Sequence, residues 1–333
     1  MSNKKILLTG GLGYIGSHIA ACIKDTASIL IVDNLSNCDL TQIARLKQVI
    51  PLEKDQIILA DCADYQALES VFKDHEIESV IHLAGYKAVG ESVLKPLDYY
   101  RNNLNATLNV LLLCDKYHIK HLIFSSSATV YGPQVSPMNE SMTLLKTTNP
   151  YAQTKVISER MIEDYCLIHP NMAATSLRYF NPCGAHPSGL IGEIPNGIPN
   201  NLFPYVQQVA SGKQSELNIF GQDYATHDGT AIRDYIHVMD LALAHLCVLQ
   251  SPQAGYRIYN VGTGIGSSVL EVVHAFEHAT GIKIKTKMTQ RRTGDSAECV
   301  ADVSKIKREL GWVSQYSLED ICQDAWRFEK KYV

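Results

Sequence analysis

The chain has 333 residues, 46% of them hydrophobic and 19% charged, with a formal net charge of −4. That length exceeds what one hydrophobic core usually serves, so two lobes are expected, and the composition is that of an ordinary globular protein. The negative balance argues against non-specific binding to nucleic acid or to a membrane surface, and no apolar run approaches a membrane span.

Residues 1–4 lead straight into a short apolar strand at 5–9 rather than into a signal peptide. The turn Gly10-Gly-Leu-Gly-Tyr-Ile-Gly16 follows, then an apolar-periodic helix over about 14–24. At such a junction Gly10, Gly13 and Gly16 permit a tight turn and let backbone N–H groups approach a pyrophosphate. The strand over 28–33 ends in Asp33, an acid placed to bond ribose hydroxyls and repel a 2′-phosphate, which favours NAD over NADP. The next strand, 56–60, ends at Asp61, which is either an adenine-side contact or a strand-end turn residue. A helix over about 65–73, a strand over 79–85 ending in Ala84 and Gly85, and a long helical pattern from 87 to 115 come next. The strand 121–125 ends in Ser125, Ser126 and Ser127. Strands separated by helices of this length predict an α/β fold, a doubly wound parallel (Rossmann) sheet with ligands at the carboxyl ends of its strands.

Tyr151-Ala-Gln-Thr-Lys155 opens the following helix, and residues four apart lie on one helix face. Of the 17 tyrosines, Tyr151 alone has lysine at the fourth position after it. At about 5 Å and an effective dielectric of about 20, one cation stabilises a phenolate by roughly 3 kcal/mol. That moves a phenol from about 10 toward about 8, where it could act as a base on a sugar or alcohol hydroxyl. The pair alone is compatible with chance and needs a cofactor beside it.

After a sixth strand over 173–180, residues 181–204 are dense in Asn, Pro and Gly, the composition of a long ordered binding loop. Polar candidates recur at Asn218-Ile-Phe-Gly221, at Arg233-Asp-Tyr-Ile-His237 and at Arg291-Arg-Thr-Gly-Asp295. Arginine grips phosphate through a planar fork, but Arg233 and Arg292 read equally well as surface residues. A strand over 256–262 and an amphipathic helix over 270–279 complete the pattern, so 1–180 is expected to bind the dinucleotide. Residues 181–333 form a smaller C-terminal α/β substrate lobe, with some elements crossing back. The nine cysteines have no C-x-x-C pair, which predicts reduced thiols in a cytoplasmic protein and no metal site.

Five stretches carry a resemblance: Thr9-Gly-Gly-Leu-Gly-Tyr-Ile-Gly-Ser-His18, Lys87-Ala-Val-Gly-Glu-Ser92, Ser125-Ser-Ser-Ala-Thr-Val-Tyr-Gly132, Tyr179-Phe-Asn-Pro-Cys-Gly-Ala-His-Pro-Ser-Gly189 and Arg233-Asp-Tyr-Ile-His-Val-Met-Asp-Leu241. Together they resemble the UDP-glucose 4-epimerases of the extended short-chain dehydrogenase/reductase family over essentially the whole chain. The resemblance implies a non-dissociating NAD, with Tyr151 as the base on the sugar 4-hydroxyl. It implies that Lys155 lowers the pKa of Tyr151 and holds the nicotinamide ribose, and that Ser127 bonds the sugar oxygen. Tyr14, Ile15, Asp33, Asn34, Asp61, Cys62, Leu83, Lys87, Asn102 and Phe180 fall where the family contacts NAD, and Ala84 stands at the same strand end. Asn181, Asn201, Leu202, Asn218, Phe220, Arg233, Arg292 and Asp295 fall where it contacts the UDP-sugar. The family is commonly a homodimer through a helix pair, for which 105–113 with 161–168 are candidates.

Cys299 stands where several strict UDP-glucose epimerases have tyrosine, which predicts a pocket that also admits an N-acetyl group. A sugar-nucleotide 4,6-dehydratase would need an acid pair after the active-site threonine, and Val130 and Tyr131 follow Thr129 here. A non-catalytic NAD-binding regulator on the same fold would typically lack the Tyr–Lys pair.

Overall fold

Near-continuous runs of Ile, Leu and Val leave a strand no polar face, so such strands must be covered on both sides. The computed structural model describes residues 4–194, 196–197, 199, 201–292 and 295–332. Pro195, Ile198 and Asn200 of the first expected loop, and Thr293 and Gly294 of the second, lie outside the described residues.

The first half runs β1 (Lys5–Thr9), α1 (Tyr14–Ile23), β2 (Ser28–Asp33), α2 (Thr41–Lys47), β3 (Ile57–Leu59) and α3 (Tyr65–Asp74). It continues with β4 (Ile77–His82), α4 (Val89–Leu94), α5 (Pro96–Lys116), β5 (His121–Ser127), α6 (Pro150–Ile168) and β6 (Ala173–Tyr179). The helical pattern expected as one stretch from 87 to 115 is two helices. Pro96 occupies the first turn of α5, and the residue before a proline is pushed out of the helical region. β3 is shorter than expected because residues 54–56 close a 3-10 turn with a Glu53/Gln56 capping box.

The second half runs β7 (Asn181–Cys183), α7 (Leu202–Ala210), β8 (Leu217–Phe220), β9 (Ile232–Arg233), β10 (Tyr235–His237) and α8 (Val238–Gln250). Then come β11 (Gly255–Val261), β12 (Ser267–Ser268), α9 (Val269–Thr280), β13 (Thr286–Thr289), β14 (Glu298–Cys299), α10 (Ser304–Leu310) and α11 (Leu318–Tyr332).

Strands in the order β11-β6-β5-β4-β1-β2-β3 make one seven-stranded parallel sheet. Side chains alternate across it. Ile6 and Leu8 pack with α1 and α8 on one face, while Leu7, Leu30 and Val32 pack with residues of α3, α5 and α6 on the other. The fold is therefore a doubly wound Rossmann sheet with a smaller C-terminal α/β lobe, whose own core joins α7, β8, α9 and α11. The later half returns to the main sheet through β11, paired in parallel register with β6, and through α8 against α1. Chain order reverses between β1 and β4, the switch point beside which open sheets of this kind bind ligands. Among the described residues no helix is long and apolar enough to cross a membrane.

Candidate active site

The β1–α1 turn is shaped for close backbone approach. Gly10 has φ +70, and a Cβ on it would meet the Ala84 backbone nitrogen at 2.9 Å. A Cβ on Gly16 would come within 2.4 Å of the Gly10 carbonyl oxygen. The helix is capped by Gly13, which offers no side chain to its first N–H groups, and unpaired N–H groups at a helix start attract an anion. Asp33, at the end of β2, braces this turn. Its carboxylate accepts from the Leu12 N–H at 3.0 Å and from the Leu35 N–H at 2.8 Å. These features fit the pyrophosphate and adenosine ribose of a dinucleotide.

Helix α6 begins where Asn149 accepts from the Ala152 N–H at 2.8 Å and Pro150 supplies the first helical residue. That start puts Tyr151 and Lys155 one turn apart beside the serine end of β5. The Lys155 ammonium donates to the Ser125 carbonyl at 2.5 Å and lies 4.7 Å from the centre of the Phe124 ring and 5.9 Å from that of Tyr151. The expected lowering of the phenol by this lysine is not what the chain alone delivers. Burial pushes Tyr151 above its ordinary value, with the hydrogen bond to Ser127 working in the opposite direction. Burial also pulls Lys155 down to about 8, against the nearby Glu159 carboxylate, which raises it. Desolvation is the largest cause for both groups, and it disfavours the charged form of each. Ser127 in turn accepts from the Thr129 N–H and hydroxyl at 3.2 and 3.0 Å.

The glycine turn, Asp33, Ser125, Ser127, Thr129, Tyr151 and Lys155 all line one cavity of about 880 Å³. Every residue expected to hold the cofactor lines it, from Gly10, Gly13 and Gly16 to Asn102 and Phe180. So do Ser127, Asn181, Asn201, Phe220, Arg292 and Asp295 from the substrate set. Leu202, Asn218, Arg233 and Cys299 do not. Leu202 opens α7 and packs into the C-terminal core. Asn218 is exposed on β8, two residues before Phe220 on the same strand face. Arg233 stands behind the wall, donating to Asp295 and to the Ser296 carbonyl. Arg292 reaches the same Asp295 carboxylate at 3.1 Å and lies over the Phe220 ring at 5.0 Å. Cys299, on β14 and paired in register with Arg233 of β9, is partly buried against the small core that holds Ala128, Val130, Tyr131, Met138, Phe180 and Ala301.

Sequence reasoning missed Glu193. Its carboxylate pairs with Lys87 at 3.1 Å and accepts from the Asn201 amide at 3.1 Å, so it joins a residue of the cofactor set to one of the substrate set. Nothing in its neighbourhood marks it. Asn149, also missed, lines the cavity; an asparagine directly before Pro150 is the helix-start signal that could have found it. All nine cysteines are free thiols, and no group of three or more His, Cys, Asp or Glu among the described residues could hold a metal ion.

Residues 6–262 match the NAD dependent epimerase/dehydratase family. The chain is 50% identical over 333 residues to the UDP-glucose 4-epimerase of Bacillus subtilis, covering 98% of this chain and 97% of that protein. A crystal structure of the Bifidobacterium longum UDP-glucose 4-epimerase in complex with NAD+ and UDP superposes with a TM-score of 0.94 at 43% identity, covering 98% of each chain. The UDP-Glc/GlcNAc 4-epimerase of Campylobacter jejuni superposes with a TM-score of 0.84 at 35% identity, covering 98% of this chain and 99% of that one.

Proposed function

The chain belongs to the NAD dependent epimerase/dehydratase family, and from that premise we propose that it interconverts UDP-galactose and UDP-glucose by inverting C4 of the hexose. The observation that carries this reading is a single cavity lined by Tyr151, Lys155 and Ser127, by the glycine turn with Asp33, and by Arg292, Asp295 and Phe220. Bound NAD supplies a hydride acceptor and donor, so the sugar can pass through a 4-keto form with no external oxidant.

The chain's own residues do the rest. Tyr151, as phenolate, takes the proton of the 4-hydroxyl and later gives it back, while Ser127 orients that oxygen. Lys155 holds the cofactor ribose and keeps a positive charge one helical turn from the phenol. Arg292, with Arg233 behind Asp295, grips the diphosphate, and Phe220 and Asn201 help to seat the nucleotide. Binding energy then rests on UDP, which leaves the hexose free to present its other face.

The enzyme as purified, given UDP-galactose and no added NAD, is expected to form UDP-glucose without accumulating reduced cofactor. Tyr151→Phe should lower kcat by about 10²–10⁴-fold. A net dehydrated product would instead point to the 4,6-dehydratase reading, and no turnover to a regulator.

Two finer readings accompany this one. The small side chain of Cys299, packed on the core to which cavity-lining Phe180 belongs, supports conversion of UDP-GlcNAc and UDP-GalNAc as well, and turnover of UDP-galactose with none of UDP-GlcNAc would sink that idea. Exposed Leu108 and Leu112 on α5 and Leu167 and Ile168 on α6 support a homodimer through this helix pair. Light scattering at the mass of one chain would contradict it.

A further inference from the structure

Glu159 lies one turn beyond Lys155 on α6, so the two project from the same side of the helix. It is 4% exposed, and Arg178, on β6, is 2% exposed. The Arg178 Nε and Nη2 donate to its two carboxylate oxygens at 3.0 and 2.7 Å, a bidentate pair. Burying such a pair costs desolvation free energy and is rarely more stabilising than apolar packing. Its third partner suggests why it is there. The Ser126 hydroxyl donates to Glu159 Oε1 at 2.6 Å.

Ser126 is the middle serine of the β5 end, and its neighbours turn to the opposite face. There Ser127 meets the Tyr151 phenol, while at the same strand end the Ser125 backbone carbonyl accepts from the Lys155 ammonium. In the parallel register Ser126 stands beside Arg178. One carboxylate thus ties α6, β5 and β6 together directly behind the two reacting side chains.

We propose that Glu159 and Arg178 are a buried positioning pair, Glu159 fixing the Ser125–Ser127 strand end through Ser126 and balancing the charge of Lys155. This rests on the reading of Tyr151 and Lys155 as the reacting pair. The titratable and charged groups around Lys155 are Tyr151 and Glu159 from its own helix and His82 from β4; of the neighbouring β6 residues, Arg178 is engaged by Glu159 and the Tyr179 hydroxyl by His245. His82 is held neutral by burial, at about 3, and burial raises Tyr179 above its ordinary value. Glu159 is the anion of this set, and it pushes Lys155 up against burial. Arg178 grips that anion through two hydrogen bonds and offsets part of its charge.

The test is a titration of Lys155 itself, by the ¹³C resonance of its ε-carbon in lysine-labelled holoenzyme, assigned with Lys155→Arg. Glu159→Gln should lower the titration midpoint by about one pH unit, and Arg178→Met should raise it by about as much. The double variant should return close to the wild-type midpoint. Shifts in the same direction, or none, would overturn the charge-balancing role. The strand-end role is read separately. Ser126→Ala should lower kcat about tenfold at unchanged KM, the effect of one lost hydrogen bond to a charged group, and Ser126→Thr should restore it. Wild-type kcat in Ser126→Ala would overturn that half, even where a charge variant fails to fold. If instead Tyr151→Phe kept full turnover, the catalytic reading would fail while the Lys155 midpoints still reported on the pair.

Discussion

The Lys87 ammonium and the Glu193 carboxylate meet at 3.1 Å across the boundary between the two halves of the chain. Glu193 also accepts from the Asn201 amide, so one side chain loads both walls of the cavity. Lys87 is nearly half exposed, which limits what the ion pair contributes, and the amide contact is the larger part. Glu193→Ala should therefore weaken UDP-sugar binding by about 1 kcal/mol, a KM increase of about fivefold, with kcat little changed. Initial-rate measurements decide it. A fall in kcat at constant KM would mean that Glu193 acts on the chemistry and not on the walls.

Asp33 has two jobs that a single substitution separates. Its oxygens accept from the Leu12 and Leu35 N–H groups, and Oδ1 also faces the Cys38 thiol at 3.8 Å, a weak donor that a ribose hydroxyl can displace. Asp33→Ser removes the charge that repels a 2′-phosphate and leaves the Leu12 N–H without its carboxylate. NAD affinity should fall at least about tenfold, the effect of losing a charged hydrogen bond, while the preference over NADP shrinks further. Equilibrating the variant with equal NAD and NADP and measuring the bound ratio checks this. An unchanged ratio would show that selectivity lies elsewhere.

The parts of the site legible in the sequence are those whose chemistry is local in the chain. The glycine turn, Asp33 at a strand end and the Tyr151/Lys155 spacing each follow from periodicity over a dozen residues, and all line one cavity. What stayed hidden joins residues far apart. Glu193 meets Lys87 only once the lobe folds over, and Glu159 meets Arg178 because α6 crosses behind β6. Leu202, Asn218, Arg233 and Cys299 fell where the family contacts its ligand, but here they stand outside the cavity lining, a distinction set by how the C-terminal elements pack and not by spacing along the chain. The balance between burial and charge at Tyr151 was also unreadable, since spacing gives a distance and not a degree of desolvation.

Acid should unfold the protein more steeply than its carboxylates alone require. Burial holds His18 and His82 neutral, down to about 3, and His121 and His245 down to about 4. Their ordinary values lie at 6.5, so between that pH and about 4 the unfolded chain binds protons that the folded chain refuses. The stability these histidines contribute is complete above 6.5 and is lost as the pH falls through that window. Four such groups give a slope approaching about 5 kcal/mol per pH unit near pH 5. Urea midpoints measured from pH 7 to pH 4.5 should drop accordingly, and a flat profile across that range would contradict the buried neutral assignment.

Selectivity for the sugar's C2 substituent is expected to respond at Cys299. Its side chain packs on the small core to which Phe180 and Ala128 belong, and Phe180 lines the cavity. A tyrosine at 299 cannot fit into that packed layer without displacing a neighbour, and the displacement has the cavity as its open side. Cys299→Tyr should therefore narrow the space beside Phe180 and reject an N-acetyl group at a cost of about 1–3 kcal/mol, a loss of about tenfold or more in kcat/KM on UDP-GlcNAc. Conversion of UDP-galactose, which carries only a hydroxyl there, should change by less than about threefold. Parallel assays of the four UDP-sugars on both proteins test this. An equal loss on all of them would mean that the new ring disturbs Phe180 itself, and that Cys299 serves packing and not choice of substrate.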